Sequence, residues 1–345
     1  MTAFRPPRSP IVPPGGMELH ERDMTATFAG DVMLGAAQER LAEIGQWLPM
    51  DGDPNATLGS LVSFNSTGPL RLGYGAWRDL LLGVQFANGR GELISAGGRT
   101  VKNVAGYDLT KFIVGSAGVF GTLVTLTART YRRPEGALLA RHRPDAGLVR
   151  RLMPTALRPQ WAMLTGDALL LGYIGDRRTL DYYRTALSQS EPLEILERSL
   201  EEDVADRARL WQWRGALGFR AAVPPARVEE FARGLANGSW VADAAFGVVL
   251  GSHIEREQIP VIKQAVAAVG GSVRFIARAD RTEANSAAGE SQSQPQSQSE
   301  DFHTAGASQA LADLSTNPIE RQIIERLKLA FDPDSKLNPL PWRIP

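Results

Sequence analysis

The sequence predicts a two-domain α+β protein, and three observations carry that prediction. The 345 residues leave room for about two domains, at roughly 100–200 residues each. A glycine-rich run from Asp53 to Val124 interleaves short β-rich segments with several separate turns. From residue 137 to about 280, strand-like and helix-like segments alternate with glycine or proline between them.

Taken in order, residues 1–16 are rich in proline and arginine and read as an extended or disordered tail. They contain no apolar stretch of the kind that marks a secretory signal. Thr25–Ala29 is a β-like run that turns at Gly30–Asp31. Leu34, Ala37, Leu41, Ile44 and Leu48 recur at helical spacing, and the helix they predict stops at Gly45–Pro49. Gly83–Ala87, Leu93–Ala96 and Phe120–Thr130 are strand candidates, the first two joined by the hairpin signal Asn88-Gly89. Trp161–Leu164 and Ala168–Tyr173 form a second expected hairpin, followed by a helix through Leu180, Tyr183 and Leu187. Phe219–Val223 and Phe246–Leu250 read as strands, with a helix opening at Pro224–Pro225 between them. Ile262, Val266 and Val269 mark a further helix, and Ser272–Ala277 a last strand. Residues 281–310 include GESQSQPQSQSED, too polar to bury a core, and read as a flexible insertion. Asn317, Pro318 and Glu320 then open a final helix with an apolar stripe at Ile319, Ile323 and Leu327.

Composition narrows the function. Basic and acidic residues balance at 38 each, so no cationic footprint points to nucleic acid. There is no cysteine, which excludes disulfides, thiolate catalysis and cysteine-held metal clusters within this chain. No apolar run is long enough to span a bilayer. The four histidines, His20, His142, His253 and His303, fall in contexts that suggest neither a catalytic base nor a metal site. No catalytic residue is assigned.

The candidate binding residues lie in the glycine-rich run. It contains no G-x-G-x-x-G opening a helix after a strand and no GK[ST] loop. It offers instead ATLGS, NSTG, YGAWRD and GSAGVFG, turns in which backbone N–H groups can approach an anion without a Cβ in the way. Thr57, Leu58, Gly59 and Ser60 are the first choice for a pyrophosphate cradle, or else an ordinary β-turn. Asn65, Ser66 and Gly68 form a second polar turn, equally readable as an Asx-turn before Pro69. Arg78 faces either a phosphate or a loop carboxylate, or pairs with Asp79 to hold the loop.

These motifs, together with GGRTVKNVAGYDLTKFIVGSAGVFG and the late FDPDSKLNP, resemble the PCMH-type FAD-binding domain of the vanillyl-alcohol oxidase family. Within that family they are most similar to the FAD-binding subunits of glycolate oxidase. The resemblance is strong over about Asp23–Pro134, weaker beyond, and returns at the last helix. It implies a FAD-binding domain over 17–136, a ferredoxin-like α+β cap over 137–280, and a C-terminal helix and tail over 311–345 that return to the FAD domain. The cofactor expected is non-covalent FAD. The resemblance places Gly115, Ser116, Gly118 and Gly121 at its pyrophosphate, Val124 at the adenine edge through its backbone, and Asn65, Ser66 and Gly68 beside the ring or ribityl chain. Lys102, Asn103, Tyr107 and Asp108 are expected to build the fold rather than do chemistry.

Two departures from the family pattern stand out. The family carries an N-terminal lobe with a G-G-G-T-K or G-S-N-S-K phosphate loop. Only about sixteen residues precede the matching strand here, so that lobe is expected to be absent or severely shortened. A gene start placed too late and a true loss of half the FAD site both account for this. The family ending N-P-G-R is replaced by Asn338-Pro339-Leu340-Pro341, which weakens any flavin contact there. The function implied is a FAD-binding accessory subunit of a glycolate oxidase-type complex. Its expected partners are a D-like flavoprotein and an iron–sulfur F-like subunit. Its expected location is the cytoplasm, with any contact with the inner membrane made through those partners. The alternative is a degenerate flavin-fold assembly protein that binds FAD weakly or not at all.

Overall fold

A computed structural model describes residues 13–98, 109–212, 215–235, 239–277 and 318–340. The motif residues Lys102, Asn103, Tyr107 and Asp108 and the polar insertion at 281–310 lie outside the described residues. In chain order the elements are β1 (Met17–His20), β2 (Thr25–Ala29), α1 (Leu34–Ala42), β3 (Gln46–Trp47), α2 (Leu58–Ser63), α3 (Arg71–Tyr74), α4 (Trp77–Leu80), β4 (Leu81–Ala87), β5 (Leu93–Gly97), α5 (Leu109–Ile113), β6 (Thr122–Arg129) and β7 (Tyr131–Arg132). There follow β8 (Gly136–His142), α6 (Ala146–Leu152), β9 (Trp161–Leu164), β10 (Leu169–Gly175), α7 (Arg177–Ser190), β11 (Glu194–Arg198), α8 (Leu200–Leu210), β12 (Leu217–Ala222), α9 (Val228–Arg233), β13 (Ser239–Asp243), β14 (Val248–Ser252), α10 (Ile259–Ala268), β15 (Ser272–Ala277) and α11 (Pro318–Phe331).

These elements form two compact units. Among the described residues, the first holds 13–67, 75–98, 109–133 and 318–340, and the second holds 68–74 and 134–277. The short helix α3 therefore clusters with the second unit although its neighbours in sequence belong to the first.

The first unit is built on a five-stranded antiparallel sheet of order β1-β2-β6-β4-β5. Strand alternation divides it into two faces. Ala26 and Phe28 of β2, Val84 and Phe86 of β4, and Leu126 and Ala128 of β6 point into a core shared with Leu34, Ala37 and Leu41 of α1, Leu58, Leu61 and Val62 of α2, and Trp77 and Leu80 of α4. The opposite face carries a row of hydroxyl groups, where Thr27 and Thr127 hydrogen-bond at 2.9 Å.

The β4–β5 hairpin forms with a five-residue connection. Asn88 Oδ1 accepts from the backbone N–H of Arg90 and Glu92, and the left-handed position falls on Gly91 (φ 76°). Gly89 is constrained differently: a Cβ there would lie 2.1 Å from Asp332 Oδ1.

The second unit is a ferredoxin-like arrangement used twice. Its single eight-stranded sheet has the order β11-β8-β10-β9-β13-β14-β12-β15, antiparallel throughout. The segment β8-α6-β9-β10-α7-β11 is one βαββαβ unit, and β12-α9-β13-β14-α10-β15 is a second with the same internal strand order. Helix α8 links them. It opens on a reciprocal cap, Ser199 Oγ accepting from the Glu202 N–H and Glu202 Oε2 accepting from the Ser199 N–H. On its buried side, Asp203 accepts from Trp161 Nε1 at 2.8 Å and from Arg207 Nε at 3.0 Å. Gly172 makes room for that indole, since a Cβ there would sit 1.9 Å from Trp161 Nε1.

A candidate flavin site around helix α2

Residues 57–60, expected as a turn, are the start of helix α2. Thr57 is its N-cap, its Oγ1 accepting from the Ser60 N–H at 3.3 Å. Leu58, Leu61 and Val62 then supply an apolar face at helical spacing, fully buried against the sheet. The polar groups of this segment are spent within the fold. The N–H of Leu58 donates to Val32 O and that of Gly59 to Gly30 O, each at 2.8 Å. The Ser60 hydroxyl donates to Thr57 O at 2.7 Å. Gly59 is needed for packing, since a Cβ would lie 2.6 Å from Gly30 O.

Helix α2 nevertheless brings three of the sequence-predicted groups together. At its start, Gly30 also donates its N–H to Val124 O at 2.8 Å, so Val124, near the β6 N-terminus, adjoins Gly59. At its end, Gly115 N–H donates to Val62 O and Ala117 N–H to Ser63 O. The chain leaving α2 passes through Asn65 in a left-handed conformation (φ 48°), and a Cβ on Gly115 would lie 3.4 Å from Asn65 Cβ. Ser66 is buried beside them. Gly68 falls in the second unit. Arg78 is exposed on α4; Asp79 accepts the Ala76 N–H at 2.8 Å, capping its own helix. Gly121 lies where β6 begins, and a Cβ would meet Phe86 Cδ2 at 2.5 Å.

The 115–118 turn holds the polar groups best suited to a ligand. Gly115, Ala117 and Gly118 all have positive φ (78°, 52° and 72°), an unusual run in which an alanine adopts a conformation that favours glycine. Ser116 is 3% exposed, and its Oγ has no hydrogen-bond partner among the described residues. The Gly118 N–H likewise donates to none of them. A buried hydroxyl without a partner costs about 1–3 kcal/mol. This turn is therefore the part of the candidate site whose polar groups are not spent within the described fold; at the α2 N-terminus the donors are already used.

The far side of this turn is clamped by the C-terminal segment, the helix and tail expected from the resemblance to return to the FAD domain. Lys328 on α11 donates Nζ–H bonds to Val119 O (3.0 Å), Asn338 O (2.9 Å) and Asp332 Oδ2. Asn338 Nδ2 donates to Ala117 O at 2.7 Å. Asp332, 2% exposed, also accepts from the N–H groups of Lys336 and Leu337. Burial by itself would raise its carboxyl; the bonds from Lys328, Leu337 and Lys336 outweigh that and hold it below the usual aspartate value. Leu340, at the altered ending, is buried against Ala117, Val119 and Phe120; Pro341 lies outside the described residues. Phe331 stacks on Phe112 with ring centroids 5.6 Å apart and meets Phe120 edge-on at 6.0 Å. The i,i+4 pair Lys328/Asp332 was the signal available in the sequence.

Parts of this chain are similar to known proteins. Residues 14–97 match the family model described as FAD binding domain. Glycolate oxidase subunit GlcE of Escherichia coli is 38% identical over 104 residues, covering 29% of this chain and 30% of that protein. The D-lactate dehydrogenase [cytochrome], mitochondrial, of Arabidopsis thaliana is 30% identical over 122 residues, 35% of this chain and 22% of that protein. A D-lactate dehydrogenase of Archaeoglobus fulgidus is 27% identical over 219 residues, 54% and 49% of the two chains. The chain thus spans less than half the length of these relatives. Among solved structures, an alkyldihydroxyacetonephosphate synthase superposes with a TM-score of 0.59 at 14% identity, over 92% of this chain and 63% of that one, which shows a common fold. No helix among the described residues is long and apolar enough to cross a membrane. Residues 14–97 thus match an FAD-binding domain, and most of the chain shares its fold with that synthase.

Proposed function

We propose that the chain is a FAD-binding accessory subunit of a 2-hydroxy-acid oxidoreductase complex of the glycolate oxidase type. In this reading it works beside a D-like flavoprotein and an iron–sulfur F-like subunit. The observation that carries it is the 115–118 turn, where a buried Ser116 hydroxyl and the Gly118 N–H lack partners among the described residues beside the Asn65 loop. The similarity to the GlcE subunit supports the assignment to a complex. FAD, when bound, supplies two-electron redox chemistry. The contribution of this chain is to hold the pyrophosphate at Ser116 and Gly118 and to keep that turn rigid through Asn338 and Lys328. A chain without cysteine leaves cysteine-held clusters to a partner.

A second reading is favoured by one observation. The N–H groups of Leu58, Gly59 and Ser60 are all bonded inside the fold, which leaves the FAD site with fewer donors than its sequence suggested. Such a protein keeps the fold and the assembly surface while holding FAD weakly. The absorption spectrum of the purified full chain separates the two. Flavin bands with about one FAD released per chain on denaturation support the first reading; a colourless protein that still co-purifies with a D-like flavoprotein supports the second. Ser116→Ala sharpens the test. It is expected to lower FAD affinity roughly tenfold or more while leaving the stability of the FAD-free chain unchanged or raised, because it deletes an unsatisfied buried group. Unchanged FAD affinity in Ser116→Ala would remove the turn from the site.

A further inference from the structure

A row of aromatic residues in the second unit's sheet is interrupted by a glycine. The register sets Phe275 of β15, Phe219 of β12, Gly251 of β14 and Trp240 of β13 directly opposite one another across four neighbouring strands, so all four share one face. It is the face packed under α9 and α10, since Phe219, Phe275 and Trp240 join the core that Phe231 and Ile262 also build. A Cβ on Gly251 would lie 2.0 Å from Phe219 Cε1. The Phe219 ring therefore leans across the glycine. Phe231 meets that ring edge-on with centroids 6.2 Å apart, and Phe275 lies 6.4 Å from it. These contacts keep the ring from swinging up into the space above Gly251.

That space is a cavity of about 160 Å³. Phe219 and Gly251 form its floor, Trp240 one wall, and Leu235, Ile254 and Ile262 close round it. Val261 and Glu257, both exposed, also line it and mark its mouth. Leu235, Trp240 and Ile254 are only partly buried, so their apolar surface is not used up by the core. Water gains little here, because a held water needs about two to four polar partners. Among the described residues, the polar side chains of the lining are the exposed Glu257 and Gln258, and Gln258 Oε1 already accepts from the Glu255 N–H at 2.8 Å. An apolar cavity of about 150 Å³ takes one benzene ring, and a guest of that size restores the dispersion contacts that the walls of a void lack.

We propose that this cavity binds a small, single-ring aromatic molecule bearing no negative charge. The ring packs against Phe219 and Trp240, whose quadrupoles suit an aromatic guest. Its substituent points to the mouth, where the Glu257 carboxylate disfavours an anion and favours a hydroxyl or an ammonium group. Every residue of the site belongs to the second unit, so the site is independent of the flavin reading.

The test is a titration of the full chain with benzyl alcohol, benzylamine and benzoate, which share a ring and differ in charge, read by calorimetry and by tryptophan fluorescence. Saturable binding of benzyl alcohol and benzylamine is expected, with benzoate weaker by roughly fivefold or more, the effect of one like charge a few ångströms away in water. Glu257→Gln should remove that difference. Val261→Trp fills the mouth from an exposed position and should weaken benzyl alcohol binding roughly tenfold or more; Val204→Trp, at an exposed position on α8, should not. Trp240→Phe keeps an aromatic wall, so heat of binding should persist while the fluorescence response is lost, which locates the ligand even where Val261→Trp folds poorly. No saturable binding of benzyl alcohol or benzylamine, benzoate binding as tightly as either, wild-type affinity in Val261→Trp, or a full fluorescence response in Trp240→Phe would each overturn the proposal.

Discussion

Replacing Lys328 with methionine should loosen the C-terminal segment and the 115–121 turn together. Methionine keeps most of the length of the side chain but removes three donated hydrogen bonds, to Val119 O, Asn338 O and Asp332 Oδ2. It also leaves the Asp332 carboxylate, 2% exposed, with only the N–H groups of Lys336 and Leu337. Removing one partner of a buried pair costs about 3–5 kcal/mol, whereas an exposed pair is worth only about 0–1 kcal/mol. The two remaining N–H donors favour the lower end. At about 1.4 kcal/mol per tenfold, the local opening equilibrium should rise by roughly two orders of magnitude or more. Hydrogen exchange read by mass spectrometry is the assay, because it reports local opening in a protein of two units. Peptides covering 115–121 and 324–340 should lose protection by that factor, and those from the second unit should keep theirs. The pH dependence carries a second signature. A carboxyl held below its unfolded value contributes stability that is present above that value and lost as pH falls through it. The wild type should therefore loosen at this segment on acidification below about pH 4, and Lys328→Met should lose less on the same titration. A protection change smaller than tenfold would refute the clamp.

Further expectations follow from other sites. Asp243 is raised to about 6 by burial, against the opposing bonds from Phe246 and Ala245 and the charges of Arg71 and Arg220. The folded state then holds the extra proton between its unfolded value and about pH 6, so stability falls as pH rises through that window, by about 3 kcal/mol in total. Thermal midpoints of the wild type and Asp243→Asn measured from pH 4 to 8 should converge toward low pH and part as pH rises, the wild type declining more. Gly172→Ala places a methyl group 1.9 Å from Trp161 Nε1 and displaces the indole from Asp203; a loss of about 1–3 kcal/mol and altered tryptophan fluorescence should result. Gly89→Ala drives a methyl group into Asp332 and should reproduce the exchange pattern of Lys328→Met from the opposite side of the contact. Thr57→Ala should lower the melting temperature through loss of a helix cap, about 1 kcal/mol.

Much of the fold was legible because its signals are local. Thr25–Ala29 alternates as a strand should, Asn88-Gly89 marks a hairpin, and Leu180, Tyr183 and Leu187 lie on one helix face. Other elements carry weaker signals. β8 (GALLARH) is buried at most positions and so lacks alternation, while β11 (EILER) is short and charged. The doubling of the ferredoxin-like unit was hidden for a related reason: strand order depends on pairing between residues far apart, such as Ala221 with Val249 and Ala242 with Leu164. The candidate site was legible in its parts and not in its wiring. Ser60 has the hydroxyl a phosphate loop would use, yet the apolar spacing of Leu58, Leu61 and Val62 makes the segment a helix and turns that hydroxyl back on Thr57. Asn338 and Lys328 reach the 115–119 turn only through the folded chain, more than 200 positions away.

The two halves of the second unit's sheet join through β9 and β13, where Ala242–Leu164 and Asp243–Met163 pair and the Ala244 N–H donates to Ala162 O at 3.2 Å. Within each half, neighbouring strands pair over four to seven positions. The sheet thus repeats one strand order on either side of a short suture. The sheet is thinnest in strand pairing at that suture, where Asp243 stands, and it is one hydrophobic core, shared by the side chains of both halves, that joins them there.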